Sequence, residues 1–70
     1  MSYLSDRLCE MRKERKQSRK EVSDALGIAE RSYQRYENAE REPTASVLVK
    51  MADYYGVTTD YLLGRTDRRE

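Results

Sequence analysis

Three observations predict an all-α fold, a compact bundle of five short helices. Apolar residues recur at helical spacing in one segment after another, and no stretch alternates with the period of two that a strand requires. Residues suited to helix starts and stops punctuate those segments: Ser18 and Thr44 before them, Gly27, Gly56 and Gly64 after them. Finally, 70 residues with one cysteine and no histidine exclude an internal disulfide and the usual His/Cys metal clusters. Helix packing must therefore carry the stability of a chain near the lower size limit for unaided folding.

The first helix is expected over residues 4–16, where Leu4, Leu8 and Met11 form one apolar stripe. Ser2 and Ser5 both qualify as its cap. Cys9 lies beside the stripe as a small, partly buried residue with no base to activate it. A second helix follows Ser18, which forms the Ser-x-x-Glu capping box with Glu21; Val22, Ala25 and Leu26 then recur at helical spacing up to Gly27. Ile28 is an apolar plug in the turn.

The third helix is expected over residues 29–37. Tyr33 and Tyr36 share one face, while Glu30, Arg31, Gln34 and Arg35 line the other. Tyr33 and Tyr36 are expected to pack inward; a tyrosine hydroxyl needs a partner or water, so that of Tyr33 would lean toward a phosphate if it finds none inside. Residues 38–43 form a loop in which Ala39 would be strained by any left-handed backbone. Thr44 caps the fourth helix, with Leu48, Met51, Ala52 and Tyr55 facing the core and Val47 and Val49 beside them. Thr58 or Thr59 opens a short fifth helix in which Leu62 and Leu63 close the core, with Tyr61 near them. One domain, 1–64, is therefore expected, with 65–70 a flexible C-terminal tail lacking an apolar anchor.

The stretch from Ser18 to Glu37 resembles the helix-turn-helix of the phage repressor and Cro proteins, the lambda-repressor-like DNA-binding family. Val22, Leu26, Ile28, Tyr33 and Tyr36 fall where that family keeps apolar residues, and Ser23 is its small residue where the two helices touch. Arg12, the Tyr36-Glu37 pair, Glu42-Pro43, the run from Met51 to Val57 and the run from Asp60 to Gly64 extend the likeness over most of the chain. Three departures stand out. Lys16 and Gln17 replace a glycine and an apolar residue, which is expected to lengthen the first helix. Ala29 replaces the usual Ser or Thr cap, and Ala39 replaces a glycine.

The resemblance implies double-stranded DNA as partner and a homodimer that represses transcription on a two-half-site operator, activation also being seen in the family. It implies that Glu30, Arg31, Gln34 and Arg35 read base edges, and that Ser18, Arg19, Lys20, Asn38 and Arg12 contact phosphates. It also implies an Arg12–Glu37 ion pair, needed physically because an unpaired carboxylate at the margin of a buried face is costly.

The net charge of +1 does not by itself argue for nucleic acid. Its distribution says more: residues 1–21 hold seven basic side chains against four acidic ones, an excess of three. Glu40 and Glu42 make the 38–43 loop acidic, which suits modest affinity per monomer and leaves open a protein-interaction module with weak or no DNA binding. No apolar run approaches membrane-spanning length. No paired carboxylates, activated nucleophile or phosphate loop argue for an enzyme, and no cofactor is expected. The cysteine usage and missing secretory signal suit the cytoplasm. A partner protein or antirepressor is left unspecified, as is the operator sequence.

Overall fold

Ser2 and Ser5 turn out to share the start of the first helix. The Ser5 amide donates to the Ser2 hydroxyl at 3.1 Å, and the Ser2 amide donates to the Ser5 hydroxyl at 2.9 Å, so two otherwise orphaned donors are satisfied reciprocally. The computed structural model describes residues 2–70; Met1, the first residue of the expected domain, lies outside the described residues. The helices are α1 (Tyr3–Glu14), α2 (Arg19–Leu26), α3 (Glu30–Glu37), α4 (Ala45–Tyr55) and α5 (Thr59–Leu62). The described residues contain no strand. Helices α1 and α2 both pack on α3, α1 and α4 pack on α5, and α2 meets α4.

The core is built from the predicted stripes. Leu8, Val22, Met51 and Leu62 are completely buried, and Leu4, Met11, Leu26, Ala52 and Tyr55 surround them. Ile28 packs against this core from the turn, and Val57 does so after α4. Ser23 is fully buried where α2 meets its neighbours, its hydroxyl returned to the Lys20 carbonyl at 3.0 Å. Leu63 departs from expectation. It caps the end of α5 and is 46% exposed, because the helix stops at Leu62 and it is Tyr61 and Leu62 that reach the interior.

Each helix ends in the same way. The residue after the C-cap region, or the cap itself, turns left-handed, and the following amide reaches back to a carbonyl five residues earlier. These closing bonds are Gln17 to Arg12 (3.2 Å), Ile28 to Ser23 (3.1 Å), Glu40 to Arg35 (2.9 Å), Val57 to Ala52 (3.0 Å) and Arg65 to Asp60 (2.9 Å). Three of the left-handed positions are glycines; the others are Lys16 (φ 55°) and Ala39 (φ 58°). The expected lengthening of the first helix therefore does not occur. Lys16 adopts the glycine-like conformation, and α1 stops at Glu14. Gly64 is constrained a second time, since a Cβ there would lie 2.3 Å from Cγ of Tyr3.

The 65–70 segment, expected as a flexible tail, makes polar contacts with α1 and the residues around α5. The anchors are polar, which is why an apolar pattern does not show them. Arg7 donates to the carbonyls of Tyr61 and Thr66 and to the Asp67 carboxylate. The Arg69 guanidinium meets Glu14 at 2.7 Å, and its carbonyl accepts the Thr58 amide at 2.9 Å. Arg7 and Arg69 both stack on the Tyr61 ring.

Relieving the two strained turns should stabilise the chain. Lys16→Gly and Ala39→Gly are each expected to add about 1 kcal/mol, read as a rise in the thermal midpoint of about 4–8 °C, because the left-handed backbone costs a side-chain-bearing residue about that much. Unchanged midpoints would show that these turns carry no strain.

Candidate nucleic-acid interface

The turn between α2 and α3 sets the geometry of the site. Gly27 (φ 72°) ends α2, Ile28 is drawn toward the core, and Ala29 begins the next helix as its N-cap. Ala29 makes no side-chain capping bond, so α3 starts at Glu30, one residue later than expected, with its first amides free. Tyr33, Tyr36 and Glu37 anchor the inner face of α3.

The outer face holds the four candidate base-reading residues. Glu30, Arg31 and Gln34 are exposed and Arg35 is half-buried. Glu30 with Gln34, and Arg31 with Arg35, are one helical turn apart and therefore neighbours. Among the described residues, none of these four side chains takes part in a hydrogen bond or ion pair. The face thus presents a carboxylate, an amide and two guanidinium groups with their donors and acceptors uncommitted, a set able to discriminate base edges in a major groove.

Tyr33 packs inward, as expected, and its hydroxyl finds its partner within the protein. It is completely buried, and its hydroxyl meets that of Tyr55 at 2.6 Å, so it cannot lean toward a ligand. Its partner comes from α4, a pairing that no local spacing reveals. Burial, together with this bond, pushes the Tyr33 hydroxyl far above its ordinary titration range; burial also pushes Tyr55 up to about 12.

Beneath the outer face lies a buried ionic cluster. The Glu37 side chain is 1% exposed. Arg12 donates to it twice, Nε to Oε2 at 2.7 Å and Nη2 to Oε1 at 3.1 Å, the two-pronged arrangement favoured for arginine and carboxylate. Nη1 of Arg12 donates to the Gln17 carbonyl at 2.9 Å. Each of the three Arg12 nitrogens has a partner inside the protein and its side chain is only 12% exposed, so the observed contacts of Arg12 are structural. A third member joins where sequence reasoning assigned only a phosphate contact: Arg19 Nε donates to Glu37 Oε1 at 3.2 Å. Burial works to raise the Glu37 carboxyl, but hydrogen bonds from Arg12 and Arg19 and the charge of Arg12 outweigh it and hold the group below its usual range.

The other candidate phosphate ligands flank this cluster. Ser18 is exposed at the start of α2, its hydroxyl accepting the Glu21 amide at 3.0 Å and its amide donating to the Glu21 carboxylate at 2.9 Å. That leaves the hydroxyl proton available to an anion. Lys20 is exposed, with Asp24 one turn away at 3.3 Å. Asn38 is exposed as the C-cap of α3.

A recessed small residue between two helices, a left-handed glycine turn and an uncommitted polar face on the second helix define a helix-turn-helix domain. The chain belongs to the helix-turn-helix family, of the Cro and phage-repressor type, and the family match spans residues 10–62. The HTH-type transcriptional regulator AnsR of Bacillus subtilis is 40% identical over 65 residues, covering 93% of this chain and 56% of that protein. ImmR, an HTH-type transcriptional regulator of the same organism, is 36% identical over 64 residues, covering 91% of this chain and 50% of that protein. The cryptic phage CTXphi transcriptional repressor RstR of Vibrio cholerae is 37% identical over 62 residues, covering 89% of this chain and 55% of that protein. The chain thus spans about half the length of these relatives. Among the described residues no helix is long and apolar enough to cross a membrane.

The ion cluster has a testable consequence. Folding lowers the pKa of Glu37, so its stabilisation is complete above the unfolded value and is lost as pH falls through the folded one. Urea titrations across acidic pH should show stability falling there, and Glu37→Gln should flatten that limb. Arg12→Ala strands a buried carboxylate and is expected to cost about 3–5 kcal/mol at neutral pH. A loss below about 1 kcal/mol, the scale of a surface pair, would mean the cluster is solvated in solution.

Proposed function

We propose that this chain is a sequence-specific, double-stranded DNA-binding regulator of transcription. The observation that carries the reading is the outer face of α3, where Glu30, Arg31, Gln34 and Arg35 project without partners among the described residues while the inner face is locked into the core. Helix α3 enters the major groove and these four side chains read bases. Ser18, Arg19, Lys20 and Asn38 grip phosphates on either side and set the register. The names of AnsR and ImmR as transcriptional regulators, and of RstR as a repressor, support this reading.

The chain acts in the cytoplasm as a homodimer on two half-sites one helical turn apart, and represses by occluding a promoter. Support for the dimer comes from Leu63 at the end of α5, Tyr3 close beside it and Val49 on α4, large apolar side chains left 46%, 62% and 49% exposed. Tyr54, also on α4, is half-buried and turned inward. Its hydroxyl donates to Gln17 at 3.0 Å, and its ring stacks edge-on against Tyr55.

A second reading, a protein-interaction module on the same fold, draws on an open groove of about 880 Å³ between the start of α1 and the 38–43 loop. Tyr3, Leu4, Tyr36 and Leu63 contribute its apolar surface, and Glu40 and Glu42 its acidic rim.

Salt separates the two. DNA binding requires affinity to fall with salt at a logarithmic slope of about −0.9 per phosphate contacted. On a duplex selected from random sequences, Arg31→Ala or Arg35→Ala should cost about 1–3 kcal/mol and relax preference at one position. Arg19→Ala should weaken all sequences alike and reduce the slope by about 1. Binding that ignores both salt and sequence would favour the interaction module.

A further inference from the structure

The buried Glu37 carboxylate carries one negative charge and accepts from two guanidinium groups. The two arginines stand differently. Arg12 is enclosed, with every nitrogen engaged inside the protein. Arg19 is the first residue of α2, its side chain is 40% exposed, and it reaches Glu37 through Nε alone. Its two terminal nitrogens have no hydrogen-bond partner among the described residues. A guanidinium is planar, so anchoring it at Nε fixes the direction in which the terminal Nη pair points.

We infer that Glu37 is a positioning residue for phosphate recognition: it holds Arg19 by Nε from inside the protein and aims the terminal edge of that guanidinium at the DNA backbone. This rests on the DNA-binding reading above. The division of labour follows from charge and access. Arg12 neutralises Glu37, and the uncompensated positive charge of the trio sits on Arg19, at the N-terminal end of α2, where the helix dipole also favours an anion. Because Glu37 closes α3 and Arg19 opens α2, a phosphate gripped by Arg19 also fixes α3 relative to the backbone. Lysine at position 19 would keep the charge but lose the planar fork and the Nε anchor.

The test uses the full chain and a duplex recovered by the wild type from a random-sequence pool. Dissociation constants are measured over a range of salt for the wild type and Arg19→Lys, and the exchange of the Arg19 Nε proton is followed by NMR without DNA. Arg19→Lys is expected to bind about tenfold more weakly at each salt concentration while keeping the wild-type salt slope, since the charge remains and only the oriented fork is lost. Its unfolding midpoint should match the wild type, and the wild-type Nε proton should exchange slowly, with Glu37→Gln abolishing that protection. Affinity within about twofold of wild type, or an Nε proton exchanging like that of free arginine, overturns the inference while leaving DNA binding intact. Failure of the wild type to recover any duplex overturns the DNA reading and this inference together.

Discussion

A single carboxylate, that of Glu37, decides how the first three helices sit against one another. It is almost completely withdrawn from water, where an unpaired charge would cost several kcal/mol. Arg12 from α1 offsets that cost, and Arg19 from α2 converges on the same carboxylate. Apolar contacts would allow these short helices to slide by small amounts at little cost, whereas a forked hydrogen-bond pair admits one geometry. The orientation of α3, and with it the direction of its outer face, follows from that constraint.

The hydrophobic core and the polar face are therefore two sides of one element. Helix α3 has eight residues, too few to persist alone in water. Tyr33 and Tyr36 bury its inner surface, and the Tyr33–Tyr55 hydroxyl contact ties it to α4 without leaving a buried polar group unsatisfied. With its inner side held by α1, α2 and α4, its outer side has no structural duty. Side chains without such duty are the ones free to contact a ligand.

Much of this was legible in the sequence because it is local. Capping residues, the glycine at position 27 and the helical spacing of Leu8, Met11, Val22 and Met51 all act over a turn or two. What stayed hidden depends on distant partners. Nothing near Tyr33 shows that Tyr55 awaits its hydroxyl, and nothing near Arg69 shows that Glu14 will hold it. The forecast for Lys16 failed for a related reason. Lysine has no preference for the left-handed region, but the bond from Gln17 to Arg12 and the grip of Arg12 on the Gln17 carbonyl impose it. The Arg12–Glu37 pair expected from the resemblance is present, while the bond from Arg12 to the Gln17 carbonyl has no sequence signal.

The approach of Tyr3 to Gly64 brings the first turn of α1 against the backbone that closes α5. Solvent reaches this joint, so by exposure alone it would pass for permissive ground. Yet it leaves no volume for even a methyl group, and its backbone angle disfavours any side chain. In a library randomised at accessible positions, residue 64 would therefore behave like a core site, returning glycine while its exposed neighbour Arg65 accepts wide variation.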